Sequence, residues 1–469
     1  MPQFIADFHI HSKYSLATSK KLVPEWLDYW ARVKGIKIVG TGDCTHPEWL
    51  SILEQQLEKA DKGTYTLKHK YKQTENWVED SSPRFILTTE ISTIYKKAGK
   101  TRKVHTVFFF PDFDTARTVQ NRLEKRNFNI RSDGRPIIGL DARDLVEMCM
   151  DVSEDIICMP AHIWTPWFSA LGAKSGFDSI EECYGDMAHH ISAIETGLSS
   201  DVPMNFMCRF LDSYALLSNS DAHSPDKLGR NANIFDCNPD YYSIKQALED
   251  KNGKTFVGTI DMYPQEGKYH YSGHRKCNEC LNPLEVLHHN FMCPTCNKPL
   301  TLGVMDRVTQ LSDRDDIHEC SSRQKTQYAI PLTEILSELL GVGPNTKKVS
   351  QEYKTIIRSC TNEMHLLTNM DSNEIAQQTY PLLAEGIRRM REGDVFISPG
   401  YDGKFGSVHV FSEKEKNMFK ENRAYVPEKI SSHNHSRFDF DLHEYHTIAK
   451  SINFSDISNT KSDSQLKLF

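Results

Sequence analysis

The sequence predicts an α/β protein built from a sheet-based unit, a small cysteine-rich module and a helical region. Three observations lead to this prediction. Short groups of histidine and carboxylate residues follow apolar or β-branched runs through the first half of the chain. Two Cys-x-x-Cys pairs come next, and helical patterns interrupted by a glycine-containing turn come after them. Side chains at the carboxyl ends of parallel strands meet at one edge of a sheet, so the groups are expected to converge.

The groups in the sheet-based unit contain potential metal ligands. Residues i and i+2 of a strand share a face, so His9 and His11 can bind one ion. Imidazoles together with carboxylates suit zinc, manganese or iron, and Glu90 and Asp221 can bridge ions roughly 3.5–4 Å apart. Each histidine alone is equally well explained as a core or surface residue, but together the groups indicate a multi-metal hydrolase site. The candidate ligands are His9, His11, Asp43, His46, Glu90, His105, His162, Glu195, Asp221 and His223.

The cysteine pairs predict a structural zinc site. Cys277 and Cys280 form the first pair, and Cys293 and Cys296 form the second after twelve intervening residues. Two such pairs in tandem are typical of a zinc ribbon, whereas one pair alone would also suit a redox motif. Residues 284–287 and 290–291 are expected to be its hairpin strands. The nearby His274, His288 and His289 are not expected to be ligands.

The helical region contains a candidate DNA-binding turn. A helix is predicted over residues 331–340, with a second helix beginning near Lys347 and Lys348. Between them Gly341 and Gly343 would let backbone amides approach a DNA phosphate, as in a helix-hairpin-helix motif, although an ordinary interhelical turn fits too. Residues 380–392 predict an amphipathic helix with basic residues near its end. Other candidate DNA contacts, which could equally lie on a solvated loop, are Lys97, Lys100 and Arg102.

Composition limits the class of protein. The chain has 469 residues, enough for two or three domains, with 39% hydrophobic and 25% charged residues. The absence of a secretory signal and of an apolar run near the roughly 20 residues of a membrane span predicts a cytoplasmic protein without membrane contact. Buried reduced thiols are the preferred interpretation of the other cysteines. The net charge of −7 counts metal-binding carboxylates without their cations, so it does not exclude nucleic acid.

The ligand groups resemble those of the polymerase-and-histidinol-phosphatase (PHP) family of metal-dependent phosphoesterases. The resemblance covers about residues 1–262 and implies a distorted (β/α)7 barrel with the ligands at its C-terminal mouth. One departure is that Cys44 and Thr45 separate Asp43 from His46, where the family usually has an adjacent Asp-His pair. This departure makes His46 and Glu195 the less secure ligands.

Longer stretches carry a more specific resemblance. Residues 8–15, 18–20, 40–43, 45–49, 195–201 and 398–406 are similar to endonuclease Q, one branch of the PHP family, and the similarity spans roughly residues 1–410. It implies a PHP barrel at 1–262, a four-cysteine zinc ribbon at 263–310 and a helical DNA-binding domain at 311–415. Residues 416–469 are expected to be a flexible tail because their composition is polar.

The resemblance also implies an activity: nicking of DNA on the 5′ side of uracil, hypoxanthine, xanthine or an abasic site. Two or three ions, Mg2+ or Mn2+ with Zn2+ as an alternative, would bind the scissile phosphate and activate water for in-line attack. Asp221 and Glu90 are the expected catalytic carboxylates. Trp164, Trp167 and Phe168 would line a pocket for the damaged base or pack on the barrel rim. A small-molecule phosphatase, a PHP 3′ exonuclease and a non-catalytic platform remain alternatives.

The last five residues predict a protein partner. They read Gln465-Leu466-Lys467-Leu468-Phe469 and resemble the peptide by which bacterial replication and repair proteins bind the sliding clamp. In such peptides the glutamine forms hydrogen bonds at one end of a cleft, and the leucine-phenylalanine pair fills an apolar pocket. A chance apolar terminus is the alternative. Tethering to the β clamp would raise the local concentration of the enzyme on DNA.

Overall fold

The computed structural model describes residues 3–75, 77–78, 81–250, 254–314, 324–420 and 439–450. Strands and helices alternate through the first half of the chain, which confirms the predicted α/β class. The strands are β1 (Phe4–Asp7), β2 (Ile38–Gly40), β3 (Leu57–Lys59), β4 (Tyr65–Leu67), β5 (Arg84–Lys97), β6 (Lys100–Phe110), β7 (Ile137–Ile138), β8 (Ile157–Pro160), β9 (Ala193–Glu195), β10 (Ala215–Leu217), β11 (Ala232–Phe235), β12 (Phe256–Asp261), β13 (Ser272–His274), β14 (Glu279–Leu281), β15 (Lys325–Tyr328), β16 (Phe396–Ser398) and β17 (Ser407–His409).

The helices lie on the faces of the sheet and make up most of the second half of the chain. Within the described residues, no helix is both long enough and apolar enough to span a bilayer. The α-helices are α1 (Pro24–Lys34), α2 (Pro47–Gln56), α3 (Phe113–Lys125), α4 (Ala142–Met150), α5 (Ile180–Tyr184), α6 (Val202–Asn205), α7 (Tyr241–Glu249), α8 (Pro283–His288), α9 (Val304–Leu311), α10 (Leu332–Leu340), α11 (Lys347–Cys360), α12 (Ser372–Gln378), α13 (Pro381–Glu392), α14 (Glu413–Lys420) and α15 (Leu442–Ala449).

The main sheet mixes parallel and antiparallel pairs. The order β15-β12-β11-β1-β2-β5-β4-β3 forms its path, and β6 extends it from β5 to β8. β1 pairs with β2, and β2 with β5, in parallel, whereas β5 and β6 form a long antiparallel hairpin. β9 and β10 form a separate parallel pair. β15 pairs with β12 although the predicted boundary at residue 311 assigns it to the helical domain.

Alternating apolar residues fill one face of the sheet. Phe8, Phe109 and Phe235 are fully buried there, and Tyr241 and Ile244 of α7 close the cluster. A larger core on the other side continues without interruption into the helical region, where α10, α11 and α13 contribute buried leucine and isoleucine residues. The helical region is therefore packed onto the sheet and is not an isolated appendage.

A buried ion pair strengthens this junction. Lys34 Nζ at the end of α1 lies 2.7 Å from Glu363 Oε2, and the Tyr353 hydroxyl donates to the same carboxylate oxygen over 2.6 Å. The Leu332 amide donates to its other oxygen. Because the carboxylate is fully hydrogen-bonded, its burial is tolerated and the first turn of α10 is held in place.

The helical predictions are confirmed, but the flexible tail is only partly correct. α10 and α11 begin and end where the sequence indicated, and so does α13. Within the predicted tail, however, residues 413–420 and 442–449 are helical. Leu442 and Tyr445 of α15 are buried, and the Ser312 hydroxyl lies 2.8 Å from His446 Nε2. One apolar face was enough to dock this short polar helix. The clamp-like residues 465–469 lie outside the described residues.

Candidate active site and zinc module

The first candidate metal group lies where β1 and β10 end. A parallel bridge between Ile10 and Ala222 brings the two ligand-bearing loops side by side. His11 Nε2 lies 2.9 Å from Asp221 Oδ1 and 3.6 Å from Glu90 Oε2. His9 Nε2 lies 3.6 Å from the same Glu90 oxygen. His9, His11 and Glu90 are buried and can bind one ion together.

The second group uses the other oxygen of Glu90. His105 on β6 and His162 after β8 both face it, with His105 Nδ1 at 2.5 Å and His162 Nε2 at 3.1 Å from Glu90 Oε1. The two imidazole nitrogens are 3.3 Å apart. Glu90 therefore has one oxygen in each group, which is the arrangement of a carboxylate that bridges two ions.

The third group opens towards solvent. It consists of His11, Asp221 and His223, whose ligand atoms lie within 4.8 Å of one another. The side chains of Asp221 and His223 are 27% and 38% exposed, in contrast to the buried first group. This opening is the side from which a substrate can reach the cluster.

The residues fit divalent metal ions. His9 Nε2 is buried and has no hydrogen-bond partner among the described residues, although it faces two carboxylates. An unpartnered buried nitrogen costs free energy unless something else binds it. Imidazoles and carboxylates at these separations match sites for zinc, manganese or iron.

The charge states favour the same conclusion. Burial alone would raise the pKa of Glu90, but the charges of His105 and His9 hold its pKa well below the usual range. Burial also opposes ionisation of Asp221, yet a hydrogen bond with His11 keeps the pKa of Asp221 low. Burial lowers the pKa of His105 to about 4, although Glu90 acts in the opposite direction. Ionised carboxylates and a neutral imidazole are the forms that bind metal.

Two predicted ligands stand behind imidazoles. Both carboxylate oxygens of Glu195 lie 3.0 Å from His9 Nδ1, the nitrogen opposite the cluster. Asp43 Oδ1 lies 3.3 Å from His11 Nδ1, and its Oδ2 accepts hydrogen bonds from the Ser12 amide and the Ser15 hydroxyl. Carboxylates in such positions orient histidine ligands and increase their basicity.

His46 is not brought into any of the groups. It precedes the first turn of α2, and its Nε2 lies 3.1 Å from the Arg131 carbonyl oxygen. Its Nδ1 lies 3.2 Å from Glu48 Oε2, and its ring stacks on Tyr14 with centroids 4.3 Å apart. The two residues inserted after Asp43 are consistent with this displacement.

Backbone geometry marks three of the site residues. Asp43, His162 and Asp221 have φ angles of 49°, 28° and 46°, in or near the left-handed region. Non-glycine residues are uncommon there, and such conformations cluster at functional sites. Each of these residues directly follows or lies close to a strand end, where the sharp turn directs its side chain or amide towards the cluster.

Sequence reasoning missed two residues. Arg135 Nη1 lies 3.3 Å from Glu90 Oε2, and its side chain is only 25% exposed. Nothing in its loop sequence distinguishes it. Asn219 donates to Glu195 Oε1 over 2.8 Å and accepts from the Phe8 amide. The polar run after β10 was a signal that could have indicated Asn219.

The zinc module differs from the predicted four-cysteine ribbon. His274, Cys277, Cys293 and Cys296 place four ligand atoms within 4.8 Å of one another. His274 Nδ1 lies 3.1 Å from Cys277 Sγ. Cys280 is not part of this group: it pairs with Gly273 across the β13–β14 hairpin and packs towards the main core. Three thiols and one imidazole still form a donor set for tetrahedral zinc.

Two further expectations for the module require correction. Residues 284–287, predicted as a strand, lie in α8. Asn282 accepts from the Glu285 amide and Glu285 accepts from the Asn282 amide, so a capping box begins this helix. That local signal outweighed the β-branched and apolar character of the segment. The exclusion of His274 as a ligand was also wrong by position, whereas His288 and His289 lie outside the group.

The candidate DNA contacts differ in their availability. Gly341 ends α10 with a φ of 63°, and a Cβ at Gly343 would meet nothing within 4 Å, so this turn is open to a ligand. Lys347 and Lys348 begin α11 beside it. The side chains on the β5–β6 hairpin are more engaged: Lys97 donates to the Cys183 carbonyl, and Arg102 donates to the Gly176 carbonyl and stacks on Phe177. Lys100 is exposed at the tip.

The arginines of α13 have internal partners. Arg389 is buried and pairs with Glu415 over 2.8 Å. Arg391 donates to the carbonyls of Leu366, Leu367 and Met370. These contacts satisfy the end of the preceding helical turn, so the arginines hold the helical region together.

Curated proteins resemble the chain over different spans. A family model described as the MJ0043 C-terminal domain matches residues 331–394. The uncharacterized protein MJ0043 of Methanocaldococcus jannaschii is 33% identical over 259 residues, which are 54% of this chain and only 32% of that protein. The uncharacterized protein YqxK of Bacillus subtilis is 28% identical over 422 residues, covering 87% of this chain and all of that protein.

Solved structures resemble it more completely. The lesion-specific endonuclease PfuEndoQ of Pyrococcus furiosus has a TM-score of 0.76 and 30% identity, with 88% of this chain and 96% of that chain covered. An endonuclease Q in complex with a 27-mer duplex substrate that has an abasic lesion at the active site has a TM-score of 0.74 and 29% identity over 93% of this chain and all of that chain. The mixed α/β fold is thus the endonuclease Q fold, and the chain belongs to the endonuclease Q family.

Proposed function

We propose that this protein is a DNA repair endonuclease that nicks DNA 5′ of uracil, hypoxanthine, xanthine and abasic sites by metal-dependent hydrolysis. The observation that carries the proposal is the bridging position of Glu90 between two histidine-rich groups, in a chain similar over most of its length to a lesion-specific endonuclease. Metal-bridged clusters of this kind suit phosphodiester hydrolysis.

The proposed domain organisation follows the sequence with two amendments. Residues 1–262 form a PHP-type barrel, to which β15 adds a strand. Residues 263–310 form a zinc module that uses His274 in place of Cys280. Residues 311–415 form a helical DNA-binding domain with a helix-hairpin-helix-like turn.

The chemistry divides between bound ions and the chain. His9, His11, Glu90, Asp221 and His223 would hold Mn2+, Mg2+ or Zn2+ together with His105 and His162. When bound, such ions activate water and neutralise the scissile phosphate.

Side chains around the ligands supply orientation and charge. Glu195 and Asp43 fix the rings of His9 and His11, so the coordinating nitrogens face the cluster. Arg135, held by Glu90, presents a guanidinium at the edge of the site, where its planar donors suit a phosphate oxygen. It would position the DNA backbone before cleavage.

A cavity beside the cluster is the proposed site for the extruded damaged base. Its volume is about 370 Å3, and its walls include Trp167, Tyr269, Lys268 and Phe405. Thr165, also in the wall, lies 3.1 Å from His162 Nδ1 through its hydroxyl. Aromatic walls stack on a base, and the enzyme must take the base out of the duplex to read its edge.

The structure narrows which of the three predicted aromatic residues can serve this cavity. Trp164 is fully buried and donates to Asn205 Oδ1, so it supports the loop from inside. The Phe168 ring packs against His105 with centroids 4.8 Å apart. Trp167, which is 37% exposed, is the one we propose to contact the base.

The decisive experiment is cleavage of a labelled duplex with one internal deoxyuridine, deoxyinosine or abasic site, with Mn2+ or Mg2+ present. Wild type should nick each lesion strand one bond 5′ of the lesion and leave undamaged DNA intact. Asp221→Asn should abolish nicking, whereas Asp226→Asn, an exposed aspartate on the same loop, should not. Circular substrates distinguish nicking from a 3′ exonuclease. Phosphate release from small monoesters without nicking would overturn the proposal in favour of a phosphatase.

A further inference from the structure

The loop between His11 and α1 presents an apolar side chain at the edge of the candidate active site. Leu16 is 66% exposed, the second most exposed of the large apolar residues that the structure describes, after Phe405. Single exposed leucines are ordinary on protein surfaces, so exposure alone carries no argument. What distinguishes Leu16 is how its loop is held and where the loop is attached.

Internal hydrogen bonds hold the loop in one shape. The Ser15 amide donates to the Ser12 carbonyl over 3.2 Å. The Thr18 hydroxyl lies 2.9 Å from the Ser12 carbonyl oxygen and 2.6 Å from that of Ser15. Ala17 has a φ of 61°, a left-handed conformation that costs free energy in a residue with a Cβ. The chain therefore accepts strain to turn back directly after Leu16.

The loop is also fixed to the metal-binding groups. The Ser15 hydroxyl donates to Asp43 Oδ2 over 2.8 Å and lies 3.4 Å from His11 Nδ1. The Ser19 amide donates to the His223 carbonyl over 2.8 Å. Both ends of the Leu16 turn are thus tied to the candidate ligands or their supports, so the leucine has a set position relative to the reacting centre.

The surroundings of Leu16 suit DNA. Lys13, Lys20 and Lys21 are exposed on the same loop and can approach phosphates on either side of an inserted side chain. The Leu16 amide is held by Asp133 Oδ1 at 3.2 Å, which orients the tip from the opposite loop. A rigid apolar tip flanked by cations matches the wedges that proteins insert between base steps.

We infer that Leu16 is a positioning residue that enters the base stack and fills the space left when the damaged nucleotide leaves the duplex. This inference rests on the proposed endonuclease function. A wedge fixed to the metal ligands would keep the extruded nucleotide in register with the scissile phosphate. It would also lower the cost of extrusion, because the neighbouring bases stack on the leucine in place of the missing base.

The test compares two substrates with the same sequence. One has deoxyuridine paired in a duplex, and the other has it unpaired in a three-nucleotide bulge, where little extrusion is required. Leu16→Ala should lower single-turnover nicking of the paired site by about tenfold or more, because the unstacking that the wedge offsets is costly, and leave the bulge within about twofold. Leu16→Phe, which keeps an apolar wedge, should retain duplex cleavage. Tyr242→Ala, at an exposed position at the start of α7, should change neither.

The outcomes separate the two proposals. If wild type nicks neither substrate, the endonuclease function fails and the wedge fails with it. If wild type nicks both and Leu16→Ala slows both equally, the residue acts on the site in general and the wedge is wrong. Unchanged cleavage of the paired site by Leu16→Ala would overturn it as well.

Discussion

The two oxygens of Glu195 lie 3.0 Å from His9 Nδ1, while His9 Nε2, on the other side of the ring, faces Glu90 at 3.6 Å. Because Nδ1 is held by the carboxylate, the ring cannot rotate and Nε2 remains directed into the cluster. The amide of His162 donates to the same carboxylate over 2.8 Å, so Glu195 joins two ligand-bearing loops.

Glu195→Gln should therefore weaken metal binding without unfolding the protein. Loss of a carboxylate behind a histidine ligand typically lowers metal affinity by about 10- to 100-fold. The Mn2+ concentration for half-maximal nicking should rise by that factor, and Glu154→Gln, at an exposed position, should have no effect. An unchanged Mn2+ requirement would exclude a positioning role for Glu195.

In the zinc module, His274 and Cys280 should respond oppositely to substitution. His274→Ala removes a side chain from the four-ligand group, so bound zinc should be lost on mild chelation and the thermal midpoint should fall. Cys280→Ser lies outside that group and should retain one zinc per chain. Metal analysis after chelator treatment measures both. Retention of zinc by His274→Ala and its loss from Cys280→Ser would restore the four-cysteine arrangement.

Removing the two lysines at the start of α11 should weaken DNA binding regardless of sequence. In Lys347→Ala/Lys348→Ala, the slope of log affinity against log salt should fall in magnitude by about 2, because each phosphate contact contributes about 0.9. A Lys97→Ala variant, whose amine already bonds to Cys183, serves as the control and should leave the slope unchanged. Fluorescence anisotropy at several salt concentrations gives the slopes.

Glu266 should make the protein less stable as pH rises. Burial, together with nearby Glu334, raises the pKa of Glu266 to about 8, although Arg230 and Lys227 oppose the shift. The folded state thus retains a proton that the unfolded state loses above about pH 4.5, so stability is full below that pH and is lost as pH rises to about 8.

Glu266→Gln keeps the neutral form at every pH. It should gain a few kcal/mol over wild type between acidic pH and pH 9, as a shift of this size implies on the order of one kcal/mol per pKa unit. Chemical unfolding at pH 5 and pH 9 measures the difference. Glu58→Gln, at an exposed position on β3, should show no comparable dependence.

The C-terminal peptide should bind a bacterial sliding clamp independently of catalysis. Leu468→Ala/Phe469→Ala removes the pair expected to fill the apolar pocket. Binding to purified β clamp, measured by surface plasmon resonance, should disappear, while nicking of a short linear duplex should be unchanged. Lys467→Ala, within the same peptide, should retain clamp binding. Equal binding by the double variant would contradict the assignment.

The sequence alone determined which residue types lie near which strand ends. Apolar runs ending in His, Asp or Glu predicted ligands after β1, β2, β8 and β10, because strand formation and side-chain chemistry are local properties. Helix boundaries around Gly341 were also readable, since glycine and the following Pro344 end and reset a helix locally. The resemblance of long motifs then indicated the family before any tertiary contact was known.

Only the tertiary structure decided what each candidate residue faces. Asp43 and Glu195 became supports for imidazoles, His46 paired with a backbone carbonyl, and Arg135 reached Glu90. In the zinc module the direction of each side chain across the β13–β14 hairpin replaced Cys280 with His274. These outcomes depend on contacts between residues far apart in the chain, such as the bridge between Ile10 and Ala222, and local sequence does not encode their geometry.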